Sequence, residues 1–339
     1  MHTTERFRPS AGRTQNPMKP VDVTVIIPAH NAEETIGELL DSVLSTPELA
    51  IQVIVVDDCS SDATGEIVGG YAERDPRVSL LRHETNRGAG IARNTGFAEA
   101  EGRFTLFFDD DDVFHPEALV TAVRALERGG QDVAVLKYRY RRAHDDQDQA
   151  MTNGDEALWA ALVGTRHSRR LRLDQAPELL GLTNYPWNRV LRTSTYRRAG
   201  LRYGSTMVNN DILGHWYSLL FADQILLLNE VLCTHSVLPG GTNLTNRSSR
   251  DRLSLLDALD ETYDLLRAHP SRLRRYSHHY WSTTMNIISW AGERVSPDVQ
   301  EEFALRTRRH LLRISIPEFG KLTRCNPALA TRMTRRAIG

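Results

Sequence analysis

Between Val21 and Tyr138 the chain alternates short apolar runs with longer stretches in which apolar residues recur every three or four positions. Val23 to Ile27, Ile51 to Val56, Val78 to Leu81, Phe104 to Phe108 and Asp132 to Tyr138 are of strand length and rich in β-branched or aromatic residues. Bounded by polar or glycine-containing segments, they predict buried strands. Between them, Glu33 to Leu44 places Ile36, Leu39, Leu40, Val43 and Leu44 on one helical face, and Ala63 to Tyr71, Gly88 to Glu99 and Pro116 to Leu126 predict three further helices. Buried strands joined by helices specify an α/β fold with a mostly parallel sheet covered on both faces and right-handed crossovers.

Open sheets of this kind bind ligands at the carboxyl ends of their strands. The unusual polar residues of this sequence fall there: Pro28 to Glu33 after the first strand, Asp57 and Asp58 after the second, and Asp109 to Asp112 after the fourth. Four consecutive carboxylates behind an apolar run are costly unless positive charge lies among them, and a divalent cation bound to an anionic substrate would supply it. The alternative is an acidic turn leading into the helix announced by His115-Pro116-Glu117. Convergence of three separate segments on one edge favours a site.

Composition narrows the classes. At 339 residues the chain suits one large domain, or a domain with an appendage, and its net charge of −1 argues against a dedicated nucleic-acid binder. Acidic residues crowd the first half, whereas Arg dominates the charges beyond Asn246. Cys59, Cys233 and Cys325 are too scattered for a disulfide framework or a zinc site, which fits a reducing, cytoplasmic compartment. Met1 to Pro20 reads as a mobile polar tail without the apolar segment of a signal peptide. No run approaches the ~20 apolar residues of a membrane span; even Tyr217 to Leu228 is broken by Asp223 and Gln224. Gly88, Gly90 and Gly96 do not form a dinucleotide fingerprint, which argues against NAD, and the Asp run lacks the alternation and central Gly of a calcium loop.

The segments Val25 to Glu33, Val55 to Asp62, Asn86 to Gly96 and Phe107 to Asp112 occur in that order, and together they resemble the signatures of family 2 inverting glycosyltransferases with the GT-A fold. Pro186 to Arg189 and Asn209 to Asp211 match more loosely, and nothing beyond about Arg250 resembles a family motif. The resemblance implies a Rossmann-like GT-A domain over 21–245, with a nucleotide-sugar half at 21–140 and an acceptor half at 141–245. The tail 1–20 precedes it and a helical region, 246–339, follows. The implied activity is metal-dependent transfer from a nucleotide-diphosphate sugar, UDP-linked by preference, to a glycan or lipid-linked acceptor, as in cell-surface polysaccharide synthesis.

Residue by residue, the resemblance makes Asp58 an acceptor for a uracil N–H, assisted by Asp57, with Pro28, Ala29 and Glu33 contacting the nucleoside. The residues alone also allow Asp57 and Asp58 to cap a turn and Glu33 to serve a helix's first turn. Arg87 and Arg93 are implied contacts of base or diphosphate; Arg93 could equally pair with the acidic strand ends. The pattern Asp-x-Asp-Asp implies that Asp111 ligates Mn²⁺ or Mg²⁺ and that Asp109 acts through water or the donor ribose. Asp110 is then a donor neighbour, with the register open by one residue. Asp211 is the implied general base, in Asn210-Asp211 where the family more often has Glu-Asp; the other reading is a helix cap. On the acceptor side, beside Asn210, Trp187 either stacks on a sugar or belongs to the core. His235 is either a further metal ligand or a structural hydrogen-bonder. Arg247, in the polar loop Gly240 to Ser249, is the candidate contact for the diphosphate from a closing loop.

Beyond Arg250, Leu253, Leu256, Leu259, Tyr263 and Leu266 recur at helical spacing, and Arg306, Arg308, Arg309 and Arg313 interleave with Leu305, Leu311 and Leu312. Such a surface would rest on the anionic inner face of a membrane, pair with a second copy of the chain, or remain solvated. Two rival functions share the expected sheet. A sugar-nucleotide pyrophosphorylase needs a Gly-rich basic loop after the first strand, which Pro28 to Ala32 lacks. A catalytically silent carbohydrate- or nucleotide-binding protein would not need every acidic motif.

Overall fold

The computed structural model describes residues 5–7, 20–142, 147–237 and 250–338. Strands β1 (Glu5–Phe7), β2 (Val23–Ala29), β3 (Ile51–Asp57), β4 (Val78–Arg82) and β5 (Phe104–Phe107) alternate with helices α1 (Ile36–Leu44), α2 (Thr64–Arg74) and α3 (Ala89–Ala98). There follow β6 (Val113–Phe114), α4 (Pro116–Gly129), β7 (Val133–Arg142), α5 (Asn153–Leu162), β8 (Ser168–Leu171), β9 (Arg189–Arg192), α6 (Thr193–Ala199), α7 (Asp211–Leu220) and β10 (Ile225–Val237). The strands form one sheet in the order β1-β4-β3-β2-β5-β9-β7-β10-β6, with β8 paired to β10. β4, β3, β2 and β5 pair parallel; antiparallel β9 leads to β7, and β7 and β10 are again parallel.

Buried β-branched side chains on both faces explain this sheet. Val53 and Val55 of β3 enter the main core, while Ile54 and Val56 join Leu81 and Ala92 in a second small cluster on the other face. At Gly96 a Cβ would lie 2.5 Å from Ile26 Cγ2, so only glycine lets α3 pack so closely on β2. The chain leaves β2 towards β3 on one side and reaches β5 on the other. This makes the β2/β5 boundary a topological switch point, where the carboxyl ends open a crevice.

The first helix starts at Ile36, three residues later than the pattern predicts, because Ala32 to Thr35 form a turn in which the Ala32 carbonyl accepts from the Thr35 and Ile36 amides. Beyond residue 250 the described chain is helical: α8 (Ser254–Arg267), α9 (Pro270–Gly292), α10 (Gln300–Leu311), α11 (Ile316–Cys325) and α12 (Pro327–Ile338). α8 packs on α7 and α9 on the turn Pro177–Gly181, with Tyr280 set edge-on to Trp216 at 5.5 Å. Two of the interleaved arginines are half-buried and paired: Arg306 with Asp257, and Arg313 with Asp260 and Asp264. Leu311 is buried as well. Among the described residues no helix is long and apolar enough to cross a membrane.

Candidate active site

The carboxylates behind β5 occupy four different environments. Asp109 accepts from Arg93 Nη2 at 2.5 Å, Asp110 from the His30 amide at 3.1 Å, and Asp112 from the Ser236 amide at 2.9 Å, with His235 Nδ1 2.7 Å away. No described side chain donates a hydrogen bond to Asp111. Burial, then the charges of Asp112 and Asp109, raise its carboxyl to about 7, with His235 opposing. Burial and then Asp111 hold Asp110 well above the ordinary carboxyl value. The run is therefore under strong mutual repulsion, as the sequence led us to expect.

At the mouth of the same crevice, α7 begins at Asp211, and Ile212 to Leu220 are all buried, so the helix is held by apolar contacts on every side. Asp211 is half-buried at its first position, and no described side chain donates to its carboxylate. Burial raises this carboxyl to about 6, opposed chiefly by Arg93. A base poised near neutrality is what proton abstraction from a sugar hydroxyl requires. Asn210, rather than Asp211, occupies the cap position, yet its side chain makes no cap bond: Oδ1 accepts from Arg93 Nη1 at 2.8 Å. Arg93 thus pairs with the acidic strand end, the second of its two sequence readings.

At the carboxyl end of β2, Pro28 and Ala29 close the strand and are buried. Asp57 is a structural residue: its Oδ1 caps the turn by accepting from the Ser60 amide at 2.8 Å, and Oδ2 meets Arg82 Nε at 3.0 Å as an ion pair outside hydrogen-bonding alignment. Asp58 accepts from the Gly88 amide at 2.6 Å and the Arg87 amide at 3.0 Å, with His83 Nδ1 2.6 Å away. Burial alone would raise Asp58, but the bonds from His83, Arg87 and Gly88 outweigh it and hold the carboxyl below its ordinary value. Glu33 reaches another helix rather than its own: its Oε2 accepts from the Ala63 amide at 2.9 Å at the start of α2. The Arg87 side chain is exposed, and no described residue pairs with its guanidinium.

Trp187 belongs to the core. It is fully buried, stacked on Tyr185 at 4.3 Å and on His235 at 5.7 Å, so its face is already covered. His235 lies against Asp112 and inside this aromatic group, which brings it to the acidic run without completing a metal cage. Among the described residues no three His, Cys, Asp or Glu side chains form one. Mg²⁺ and Mn²⁺ nevertheless need only one or two carboxylates when waters and substrate phosphates fill the remaining positions. The carboxylates of Asp111 and Asp109, with no described side chain donating to Asp111, fit such an ion. Arg247 lies outside the described residues.

Sequence reasoning missed His30, His83 and Tyr203. His30 Nδ1 lies 2.9 Å from the Asp58 carbonyl, so one residue touches both acidic segments. Tyr203 lies under the Arg93 guanidinium and edge-on to Phe107 at 4.8 Å. Asn31, Cys59 and Asn209 have φ of 55°, 64° and 60°, and all three lie in the segments that build the crevice. Left-handed backbone at non-glycine residues is concentrated at functional sites, but no sequence signal marks these positions.

The model of the family described as "Glycosyl transferase family 2" matches residues 24–197, just over half of the chain. The succinoglycan biosynthesis protein ExoO of Rhizobium meliloti is 39% identical over 114 residues, 34% of this chain and 32% of that protein. The poly(ribitol-phosphate) beta-N-acetylglucosaminyltransferase TarS of Staphylococcus aureus is 40% identical over 120 residues, 34% of this chain and 21% of the relative. The chain thus aligns with about a third of one curated relative and a fifth of the other. The crystal structure of S. aureus TarS 1–349 in complex with UDP-GlcNAc superposes with a TM-score of 0.72 at 20% identity, covering 94% of this chain and 88% of that one. A mannosyltransferase, PcManGT from Pyrobaculum calidifontis, solved with GDP-Man and Mn²⁺, gives a TM-score of 0.55 at 17% identity over 96% of this chain and 86% of that one. The likeness to TarS extends through the C-terminal helices and shows the GT-A fold with a helical C-terminal part.

Proposed function

The chain belongs to glycosyl transferase family 2, and from that premise we propose that it is a metal-dependent inverting glycosyltransferase. The sugar comes from a nucleotide-diphosphate donor, UDP-linked by preference, and goes to a glycan or lipid-linked acceptor. One observation carries the reading: two acidic centres stand at one sheet edge, the crowded Asp109–Asp112 run and the isolated Asp211, separated by buried Arg93. The first suits a cation and a diphosphate, the second a proton. Support for the donor class comes from the TarS structure, which holds UDP-GlcNAc, and from PcManGT, which holds GDP-Man and Mn²⁺.

In the proposed reaction Asp211 takes the proton of the acceptor hydroxyl as its oxygen bonds to the anomeric carbon, while the bond from that carbon to the diphosphate oxygen breaks. The leaving electron pair stays on the diphosphate. Asp111, with Asp109, would hold Mn²⁺ or Mg²⁺, which when bound neutralises the charge that develops on the leaving group. In this reading exposed Arg87 contacts the diphosphate or base, and Pro28, Ala29 and Asp58 border the nucleoside. Screening UDP-, GDP- and dTDP-sugars for hydrolysis with and without Mn²⁺ tests the proposal. Metal-dependent turnover of one of them is expected; tight UDP binding without turnover of any would instead indicate a silent binding protein.

The helical region supports a place for the enzyme. Leu305, Leu312 and Ile316 are 51%, 60% and 90% exposed, and exposed Arg308 and Arg309 share the α10 face with the two leucines. No described residue pairs with either arginine. Aliphatic side chains flanked by free guanidinium groups suit an anionic lipid surface, where a lipid-linked acceptor would be within reach.

A further inference from the structure

The glycine-punctuated segment Asn86 to Gly96 looks, in sequence, like a place where backbone approaches a ligand. In the fold it approaches the protein itself. Gly90, Arg93 and Asn94 share one face of α3, and that face meets the stretch Tyr203 to Asn210 leading into α7. A Cβ on Gly90 would lie 2.1 Å from the Gly204 carbonyl oxygen and 2.8 Å from Asn210 Cβ, so glycine alone permits the contact. Asn94 grips Tyr203 by both backbone groups: its Oδ1 accepts from the Tyr203 amide at 2.8 Å and its Nδ2 donates to the Tyr203 carbonyl at 3.0 Å.

Arg93 completes this clamp. It is 4% exposed, its Nη2 donates to Asp109 at 2.5 Å, its Nη1 donates to Asn210 at 2.8 Å, and its guanidinium carbon sits 5.2 Å from the Tyr203 ring centre. Asn210 in turn donates to the Thr206 carbonyl at 3.1 Å and accepts through its own carbonyl from the Gly204 amide at 2.8 Å. From the opposite side, Glu261 of α8 accepts from Ser205 Oγ at 2.7 Å. All of these bonds except the one to Asp109 fall on the stretch 203–210 that leads into Asp211.

We propose that Arg93 is a positioning residue rather than a donor contact: by joining Asp109 to Asn210 it sets the Asp211 carboxylate at a fixed place relative to the acidic run. This rests on the glycosyltransferase reading of the site. Arg93 spends two of its five N–H groups on Asp109 and Asn210, and its unpartnered Nε is itself buried, so turning the guanidinium out towards a diphosphate would break a buried ion pair, a loss that leaves charge stranded. The planar fork that spans two partners is a property of Arg that Lys lacks.

Kinetics on Arg93→Lys, Arg93→Met, Asn210→Ala and the double variant Arg93→Met/Asn210→Ala decide the matter, together with calorimetry of UDP and Mn²⁺ binding. The expected result is a fall in kcat of about 10²-fold, the scale of misplacing reacting groups by an ångström, with donor KM and UDP affinity held. The double variant should be no slower than Arg93→Met alone, because both break one link. A raised donor KM with unchanged kcat, or additive effects in the double variant, would overturn the proposal. Amide exchange provides a readout independent of turnover: residues 203–211 should lose protection in Arg93→Met, or in Arg93→Lys if the methionine variant does not fold, while the rest of the sheet keeps it. Unchanged exchange there refutes the positioning role even if no donor is turned over, whereas lost protection without any wild-type activity would count against the enzymatic reading alone.

Discussion

Replacing Asp58 by alanine removes the acceptor that His83 Nδ1, the Gly88 amide and the Arg87 amide share. Arg87 is exposed and its amide can turn to water, and the Gly88 amide keeps Asn86 Oδ1 at 3.1 Å, but His83 is buried and its Nδ1 would be left with an unmet donor. One stranded buried donor costs ~1–3 kcal/mol, the weakened hold on the Gly88 amide adds to it and relief of the carboxylate's own desolvation offsets part, so the loss should be about 1–3 kcal/mol. Its pH dependence has a defined sign. The folded carboxyl lies below its ordinary value of 3.8, so its contribution is fully present above the unfolded value and disappears as pH falls through the folded one. Urea unfolding of wild type and Asp58→Ala should therefore show a constant gap from neutral pH down to about 5, closing below about 4. Asp58→Asn, which keeps a neutral acceptor, should fall between the two. A gap under about 0.5 kcal/mol at neutral pH, or one that widens on acidification, would refute the reasoning.

Trp187→Ala should cost about 3–5 kcal/mol by calorimetric unfolding, since it empties a fully buried site between Tyr185 and His235; a raised acceptor KM with unchanged Tm would restore the sugar-stacking reading. Asp211 must be ionised to act as a base and its carboxyl is raised to about 6, so kcat/KM should fall about tenfold per pH unit below that value. A profile flat to pH 5 would contradict this. Leu305→Glu with Leu312→Glu should abolish sedimentation with phosphatidylserine vesicles, and wild-type binding should weaken in high salt as exposed charge is screened; equal sedimentation of both proteins would remove the lipid surface from the account.

Much of the sheet was legible because strands buried on both faces must be apolar throughout, and β2, β3, β4, β5 and β7 each lie on a predicted run. Their carboxyl ends followed from topology, which is why Asp57, Asp58 and Asp109 to Asp112 could be placed at one edge without coordinates. What each carboxylate does there was less legible. Asp57 and Glu33 hold turns through backbone amides that sequence does not reveal, and Trp187 reads the same whether its face meets a sugar or Tyr185. The contact of α3 with the Tyr203–Asn210 segment was hidden because it joins residues over a hundred positions apart through an ordinary glycine and an ordinary asparagine. In the helical region, interleaved Arg and Leu suggested a basic amphipathic surface; the fold divides them, pairing half-buried Arg306 and Arg313 with carboxylates of α8, burying Leu311 and leaving Leu305, Arg308, Arg309 and Leu312 exposed.

The central claim is a division of labour between two acidic centres, and comparing Asp211→Asn with Asp111→Asn tests it most directly. With the donor identified by the screen, UDP binding in Mn²⁺ and sugar transfer are measured on each variant. Asp211→Asn should bind UDP as wild type does and transfer sugar about 10²–10⁴-fold more slowly, the usual contribution of a general base. Asp111→Asn should lose the Mn²⁺-dependent part of UDP binding. Transfer by Asp211→Asn at the wild-type rate, or Mn²⁺-dependent binding retained in full by Asp111→Asn, would contradict the assignment of the two centres.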